Sequence, residues 1–149
     1  MTAAADPPAR EITKLFLVAT EESGDRLGAA LMQALRERTG PALRFEGVGG
    51  HAMAEQGLAS LFPIDEHAVV GFASILARMR SIRQAIRSAA ERAVAMRPDV
   101  LVIIDSPEFT HRVARQVRAA APEIPIVDYV SPSVWAWRPG RHAHTEGDT

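Results

Sequence analysis

Residues Asp99–Ile104 read DVLVII, and the fold turns on how this stretch is read. An aspartate is followed by five branched apolar residues with no polar residue between them. A strand with one face in water would alternate apolar and polar side chains. An unbroken apolar run bounded by turn residues fits a strand buried on both faces, as in a parallel sheet covered by helices on each side. Pro98 stands before the run and Asp105-Ser106-Pro107 after it, so the strand is punctuated at both ends.

The rest of the chain alternates around this strand. Upstream, Ile75, Met79, Ile82, Ile86, Ala89 and Ala93 recur on one face of a long helix that Pro98 ends, with Arg80, Arg83 and Arg87 on a different face. Downstream, Phe109–Ala121 reads as a helix and Ile124–Tyr129 as another strand. Nearer the N-terminus, LFLVAT (Leu15–Thr20) is a second continuous apolar run. A helix follows it, predicted to start at Asp25 as N-cap, to carry Leu27, Leu31, Ala34 and Leu35 inward, and to stop at Gly40-Pro41. LRFEGVGG supplies another short strand running into glycines, His51–Gly57 a short helix, and Leu61–Val70 a short strand and loop. Strand–helix alternation of this kind implies right-handed crossovers and an α/β architecture, a mainly parallel sheet with helices on both faces.

Composition narrows the function classes. The 149 residues suffice for one domain with a core, 47% are apolar and 23% charged, and the net charge is −1. Nothing in that balance calls for nucleic acid as a partner. There is no cysteine, which removes disulfides, thiolate metal sites and a cysteine nucleophile, and accords with a reducing compartment. Residues 1–11 are Ala/Pro-rich with early acids, lack the apolar segment of a signal peptide, and are expected to be frayed. LFLVA and VLVII are too short to span a bilayer, so membrane contact would be peripheral.

In an open parallel sheet, ligands bind beyond the carboxyl ends of the strands. Four stretches are expected there: TEESGD (20–25), GVGG (47–50), DSPEF (105–109) and SPSVWAW (131–137). In the first, Ser23, Gly24 and Asp25 either present backbone N–H groups to an anion or simply cap the helix. Glu21 is too far back to cap well and is aimed at the cleft. GVGG is a fragment of a dinucleotide fingerprint, without the full glycine spacing, and a tight turn explains it as well. Asp105 closes an apolar strand, which suits a general base; its alternative is the N-cap of the next helix. The basic face of the long helix reads first as solvated; Val69, Val70, Phe72, Ile75, Leu76 and Met79, followed by arginines, also form a pattern that can dock on anionic lipid. His142 and His144 lack a third ligand, so no metal is expected. No cofactor is expected; FMN or NAD binding by a flavodoxin-like domain would need a better phosphate loop than GVGG.

Taken together, ESGD, GVGG, VVGF, IDSPEF and above all YVSPSVWAWR (129–138) resemble lipid-A-disaccharide synthase, in order from about Leu15 to Arg138. The resemblance implies the Rossmann-like N-terminal, acceptor-side domain of a two-domain GT-B glycosyltransferase, over residues 12–138. It implies inverting transfer of a diacylglucosaminyl unit from its UDP-sugar donor to a lipid acceptor, 2,3-diacylglucosamine 1-phosphate, at the cytoplasmic face of a Gram-negative inner membrane. On that resemblance Glu21 and Asp105 are catalytic, Asp105 as general base. Ser23, Gly24, Asp25, Ser131, Ser133, Trp135 and Arg138 bind substrate, and Val69–Met79 faces the membrane surface. Two departures stand out. Thr20 and Glu22 replace a glycine and a small residue of the family's first motif, and a UDP-gripping C-terminal domain is missing beyond the polar tail 139–149. A non-catalytic remnant or acceptor-lipid module is the alternative function.

Overall fold

The computed structural model describes residues 11–64 and 74–129, apart from the side chain of Ser74. The elements run β1 (Lys14–Ala19), α1 (Glu22–Thr39), β2 (Arg44–Val48), α2 (His51–Glu55), α3 (Ser74–Met96), β3 (Val100–Ile104), α4 (Pro107–Ala120) and β4 (Ile126–Tyr129). The four strands form one sheet in the order β2-β1-β3-β4, and every pairing is parallel. This is the α/β parallel sheet expected from the apolar runs, and the Rossmann-like arrangement that the resemblance implied.

β1 and β3 lie side by side in the middle, with Leu15 to Ala19 opposite Val100 to Ile104. Both are buried along nearly their whole length, which is why neither shows alternation in sequence. Their side chains divide between two layers. Leu15, Leu17, Ala19, Val100, Val102 and Ile104 pack with Met32 of α1 and Met53 of α2. Phe16, Val18, Leu101 and Ile103 pack with Ile86, Ala89 and Ala93 of α3 and with Phe109, Val113 and Val117 of α4. Because successive strand side chains point to opposite faces, one register places every apolar residue of both central strands in a core.

The lower end of the sheet is tied by Asp99. Its Oδ2 accepts from the amides of Thr13 (2.8 Å) and Lys14 (2.9 Å) and from the Thr13 hydroxyl (3.2 Å), joining the starts of β1 and β3. At one edge Arg92 of α3 meets Glu46 of β2 through two bonds, 2.9 and 3.0 Å. Gly47 has φ +141°, and a Cβ there would lie 1.8 Å from the Leu17 carbonyl oxygen, so only glycine fits this point of β2.

Two boundaries differ from the sequence reading. α1 begins at Glu22 with Glu21 at the N-cap, so Asp25 is inside the helix and does not cap it. The long helical face of α3 is only partly a core face. Ile86, Ala89 and Ala93 are buried, whereas Ile75 and Met79 are exposed, because α3 outruns the layer it covers. At 1.5 Å per residue its 23 residues span about 34 Å against about 21 Å for the 14 of α4. The start of α3, Ile75–Ser81, is solvent-exposed throughout. Of Leu61–Val70, residues beyond 64 lie outside the description; Ser60 forms an isolated parallel bridge with Gly47.

Phe16 is fully buried at the centre of the α3/α4 layer. Phe16→Ala is expected to lower unfolding free energy by about 3–5 kcal/mol, read from the midpoint of a urea titration at unchanged slope.

Candidate functional site

From β1 the chain crosses to β2 on one side, and through α3 to β3 on the other. β1 and β3 therefore diverge at their carboxyl ends, the topological switch point where open α/β sheets bind ligands. Thr20–Ser23 leaves one strand there and Asp105–Ser106 the other. The Ser23 hydroxyl donates to Asp105 Oδ2 at 3.1 Å, across 82 residues of sequence. Among the described residues, Oδ2 of Asp105 accepts from Ser23 and Oδ1 has no hydrogen-bond partner.

The backbone under Asp105 is strained. Asp105 has φ +54° and Ser106 φ +44°, two consecutive non-glycine residues in the left-handed region. Each such residue costs on the order of 1–3 kcal/mol unless its surroundings impose it. Here they do. The buried Thr110 hydroxyl bonds the carbonyls of Asp105 (2.8 Å) and Ser106 (3.2 Å), and the amides of Phe109 and Thr110 both reach the Ser106 carbonyl at 3.0 Å. Pro107 starts α4 directly afterwards, where its missing N–H costs nothing. The turn aims Asp105 at the rim instead of letting it cap α4; Ser106 occupies the N-cap, and its buried hydroxyl has no partner among the described residues. The sequence signal for Thr110 was its place in the first turn after Ser-Pro, which sequence reasoning passed over.

Asp25 does something sequence reasoning did not foresee. It is 5% exposed, and its carboxylate accepts from three backbone amides: Gly50 at 2.8 Å, Ala52 at 2.9 Å and Met53 at 3.0 Å. These are the N-cap and first-turn donors of α2, which has no side-chain cap of its own. Asp25 caps α2 from a different helix, and negative charge at a helix N-terminus adds to the bond. The glycines of GVGG serve that contact. A Cβ on Gly50 would sit 2.7 Å from Asp25 Oδ2, and one on Gly49 2.7 Å from Met53 Sδ. Gly24 is buried where a Cβ would touch Ala19 Cβ and the Ile104 carbonyl, both at 3.4 Å, which seats α1 over the switch point.

Glu21 is exposed at the rim, one residue before α1, and makes no side-chain cap bond. Glu22, the additional carboxylate of this loop, pairs with Arg26 on the outer side of α1, and both side chains are largely exposed. The structure thus brings Glu21, Ser23, Gly24, Asp25 and Asp105 to one rim beside the GVGG loop. Ser131, Ser133, Trp135 and Arg138 lie outside the described residues, as do Val69, Val70 and Phe72. Ile75, Leu76 and Met79, the rest of the apolar set, are 53%, 71% and 48% exposed on the tip of α3. Among the described residues no cluster of metal-ligating side chains occurs, and no helix is long and apolar enough to cross a membrane.

A parallel α/β domain with an oriented carboxylate at its switch point has the build of a ligand-binding domain. Comparison with known proteins makes this specific. The family model described as lipid-A-disaccharide synthetase matches residues 15–147, beyond Arg138 where the motifs end, and the chain belongs to that family. It is 65% identical over 130 residues to a lipid-A-disaccharide synthase of Rhodopseudomonas palustris (strain BisB18), which covers 87% of this chain and 33% of the relative. A Nitrobacter hamburgensis protein of the same name is 62% identical over 128 residues, 86% of this chain and 32% of the relative. One from Ruegeria pomeroyi is 48% identical over 133 residues, 89% and 33%. The chain spans about a third of the length of the curated relatives it matches.

Asp25→Asn replaces one acceptor oxygen by a donor facing backbone N–H groups. It is expected to destabilise the domain by about 2 kcal/mol or more. Amide hydrogen exchange at Gly50, Ala52 and Met53 should quicken ahead of exchange in β1 and β3, which would separate a lost cap from general loosening.

Proposed function

We propose that this chain is the acceptor-side part of a GT-B-type lipid-A-disaccharide synthase, in which Asp105 is the general base. The observation that carries the reading is the Ser23–Asp105 pair at the switch point, with one carboxylate oxygen bonded and the other without a hydrogen-bond partner among the described residues. In the reaction, the 6-hydroxyl oxygen of 2,3-diacylglucosamine 1-phosphate attacks the anomeric carbon of UDP-diacylglucosamine. Asp105 Oδ1 takes the hydroxyl proton as the new C–O bond forms. The bond from the anomeric carbon to UDP breaks, UDP leaves with the electron pair, and the configuration inverts to a β-1,6 link. Base catalysis at such a step is worth about 10²–10⁴-fold. Ser23 is a positioning residue that fixes the carboxylate plane, and the strained turn at Asp105–Ser106 keeps that carboxylate in place before substrate arrives.

Glu21, exposed on the same rim, is placed to bond sugar hydroxyls beside the reacting one. The amides of α1 ahead of Asp25 lack partners within their helix and face the rim, where an acceptor phosphate is favourable. Ser131, Ser133, Trp135 and Arg138 belong to the SPSVWAW loop after β4 and would close the acceptor side. Donor binding falls to a second domain of the kind the longer relatives have room for. The exposed apolar tip of α3, with Val69, Val70 and Phe72 before it in sequence, is the surface that meets the cytoplasmic side of the inner membrane, where both lipid substrates reside.

The test is a chimera in which residues 12–138 replace their counterparts in the Rhodopseudomonas palustris relative. The chimera is expected to form the disaccharide from UDP-diacylglucosamine, and Asp105→Asn to lower kcat by at least about 100-fold with little change in KM. An Asp105→Asn chimera of undiminished kcat would remove Asp105 from the chemistry. For the membrane reading, Leu76→Ser with Met79→Ser in the 149-residue chain is expected to abolish flotation with phosphatidylcholine vesicles and leave the thermal midpoint unchanged; flotation equal to the parent chain would refute it.

A further inference from the structure

Four arginines line a single cleft on the outer side of the α3/α4 layer. Arg83 and Arg87 come from α3, Arg112 and Arg115 from α4; Ile86 and Gln116 complete a space of about 370 Å³. The ion pairs among the described residues join Glu22 to Arg26, Glu46 to Arg92 and Asp128 to His111, and none includes a cleft arginine. Glu91 and Glu108 stand one helical turn from Arg87 and Arg112, yet neither is paired with them. Surface arginines at this density ordinarily alternate with acids; four guanidiniums around one hollow, without an ion-pair partner among the described residues, repel each other and make the cleft positive. Guanidinium presents a planar fork of donors that matches phosphate oxygens. The chemistry that satisfies the cleft is an anion with paired oxygens, of which a phosphate ester is one.

The place of the cleft decides the source of that phosphate. On α3, Arg83 stands one turn after Met79 and Arg87 one turn after Arg83, so the cleft begins one turn beyond the apolar tip. Arg83 is about 6 Å along the axis from Met79. An interfacial apolar surface enters the headgroup boundary by about 5–10 Å. With the tip inserted, Arg83 and its neighbours stand at the level of headgroup phosphates. The cleft is also separate from the Asp105 rim: it lies on the outer helix surface, whereas Asp105 stands at the sheet's carboxyl end between α1 and α4. We infer that the Arg83/Arg87/Arg112/Arg115 cleft binds the phosphate of an anionic phospholipid headgroup and holds the domain on the membrane in one orientation. The choice of a lipid source rests on the membrane reading of the α3 tip; the anion site itself rests on the arginines.

The experiment is flotation of the 149-residue chain on vesicles of phosphatidylcholine alone and of equal parts phosphatidylcholine and phosphatidylglycerol. The parent chain is expected to prefer the anionic vesicles, with the preference falling as salt rises. Arg83→Gln with Arg112→Gln should lower affinity for the anionic vesicles about 25-fold, about five-fold for each arginine, and leave the neutral vesicles unaffected. Arg38→Gln with Arg44→Gln, exposed arginines at the other end of the sheet, removes the same charge and should change binding no more than about two-fold. Equal losses in the two double variants, or no loss in either, would overturn the cleft alone and leave the α3 tip standing. Failure of the parent chain to float with either vesicle would overturn both. Inorganic pyrophosphate at constant ionic strength competes for the same guanidiniums and is expected to weaken binding to anionic vesicles; binding undiminished at saturating pyrophosphate would overturn the cleft as the anion site.

Discussion

The pairing of β1 with β3 is the contact on which the rest depends. These two strands are adjacent in the sheet and more than eighty residues apart in the chain, and between them the path runs out to β2 and back over α3. Their five-residue register puts two apolar sets on opposite faces at once, so a shift of one residue would turn both strands inside out. The same register brings Ala19 level with Ile104 and hence Ser23 within hydrogen-bond reach of Asp105. The hydrophobic core and the candidate site are products of one alignment.

The two ends of the sheet are built differently. At the lower end, side chains close the structure: Asp99 bonds the starts of β1 and β3, and Arg92 bonds Glu46. At the upper end, polar groups are organised by backbone. Asp25 collects three amides of α2, and Thr110 holds the carbonyls of a strained turn. That division leaves Asp105 and Glu21 on rigid supports, and among the described residues the Asp105 carboxylate is bonded by the Ser23 hydroxyl. Strain of on the order of 1–3 kcal/mol per left-handed residue persists because buried Thr110 and the start of α4 impose it. A carboxylate fixed this way needs no rearrangement to meet a hydroxyl group.

Family membership accounts for the motifs and the geometry accounts for their spacing. Gly50 makes room for the Asp25 cap and Gly49 for Met53 and Leu58, which is a structural reason for glycine at each. Glu22, where the family's motif has a small residue, pairs with Arg26, and both side chains are largely exposed.

Much of this was legible in the residues themselves. Buried strands betray themselves by unbroken apolar runs, so β1 and β3 were readable from LFLVA and VLVII, and the strand–helix alternation gave a parallel sheet. Asp105 was readable as a rim acid because it follows such a run directly. What a linear reading missed were relations between distant segments. Asp25 looked like a cap for its own helix, since local patterns see only neighbours; its true partners are more than two dozen residues away. Arg83 and Arg87 looked like a solvated face because Arg112 and Arg115 belong to another helix, and only packing α3 against α4 makes a cleft of them. Periodicity in a sequence reports which face of an element is buried, a property of that element alone. Which element it is buried against, and so which side chains meet, is set by long-range packing that only the folded chain expresses.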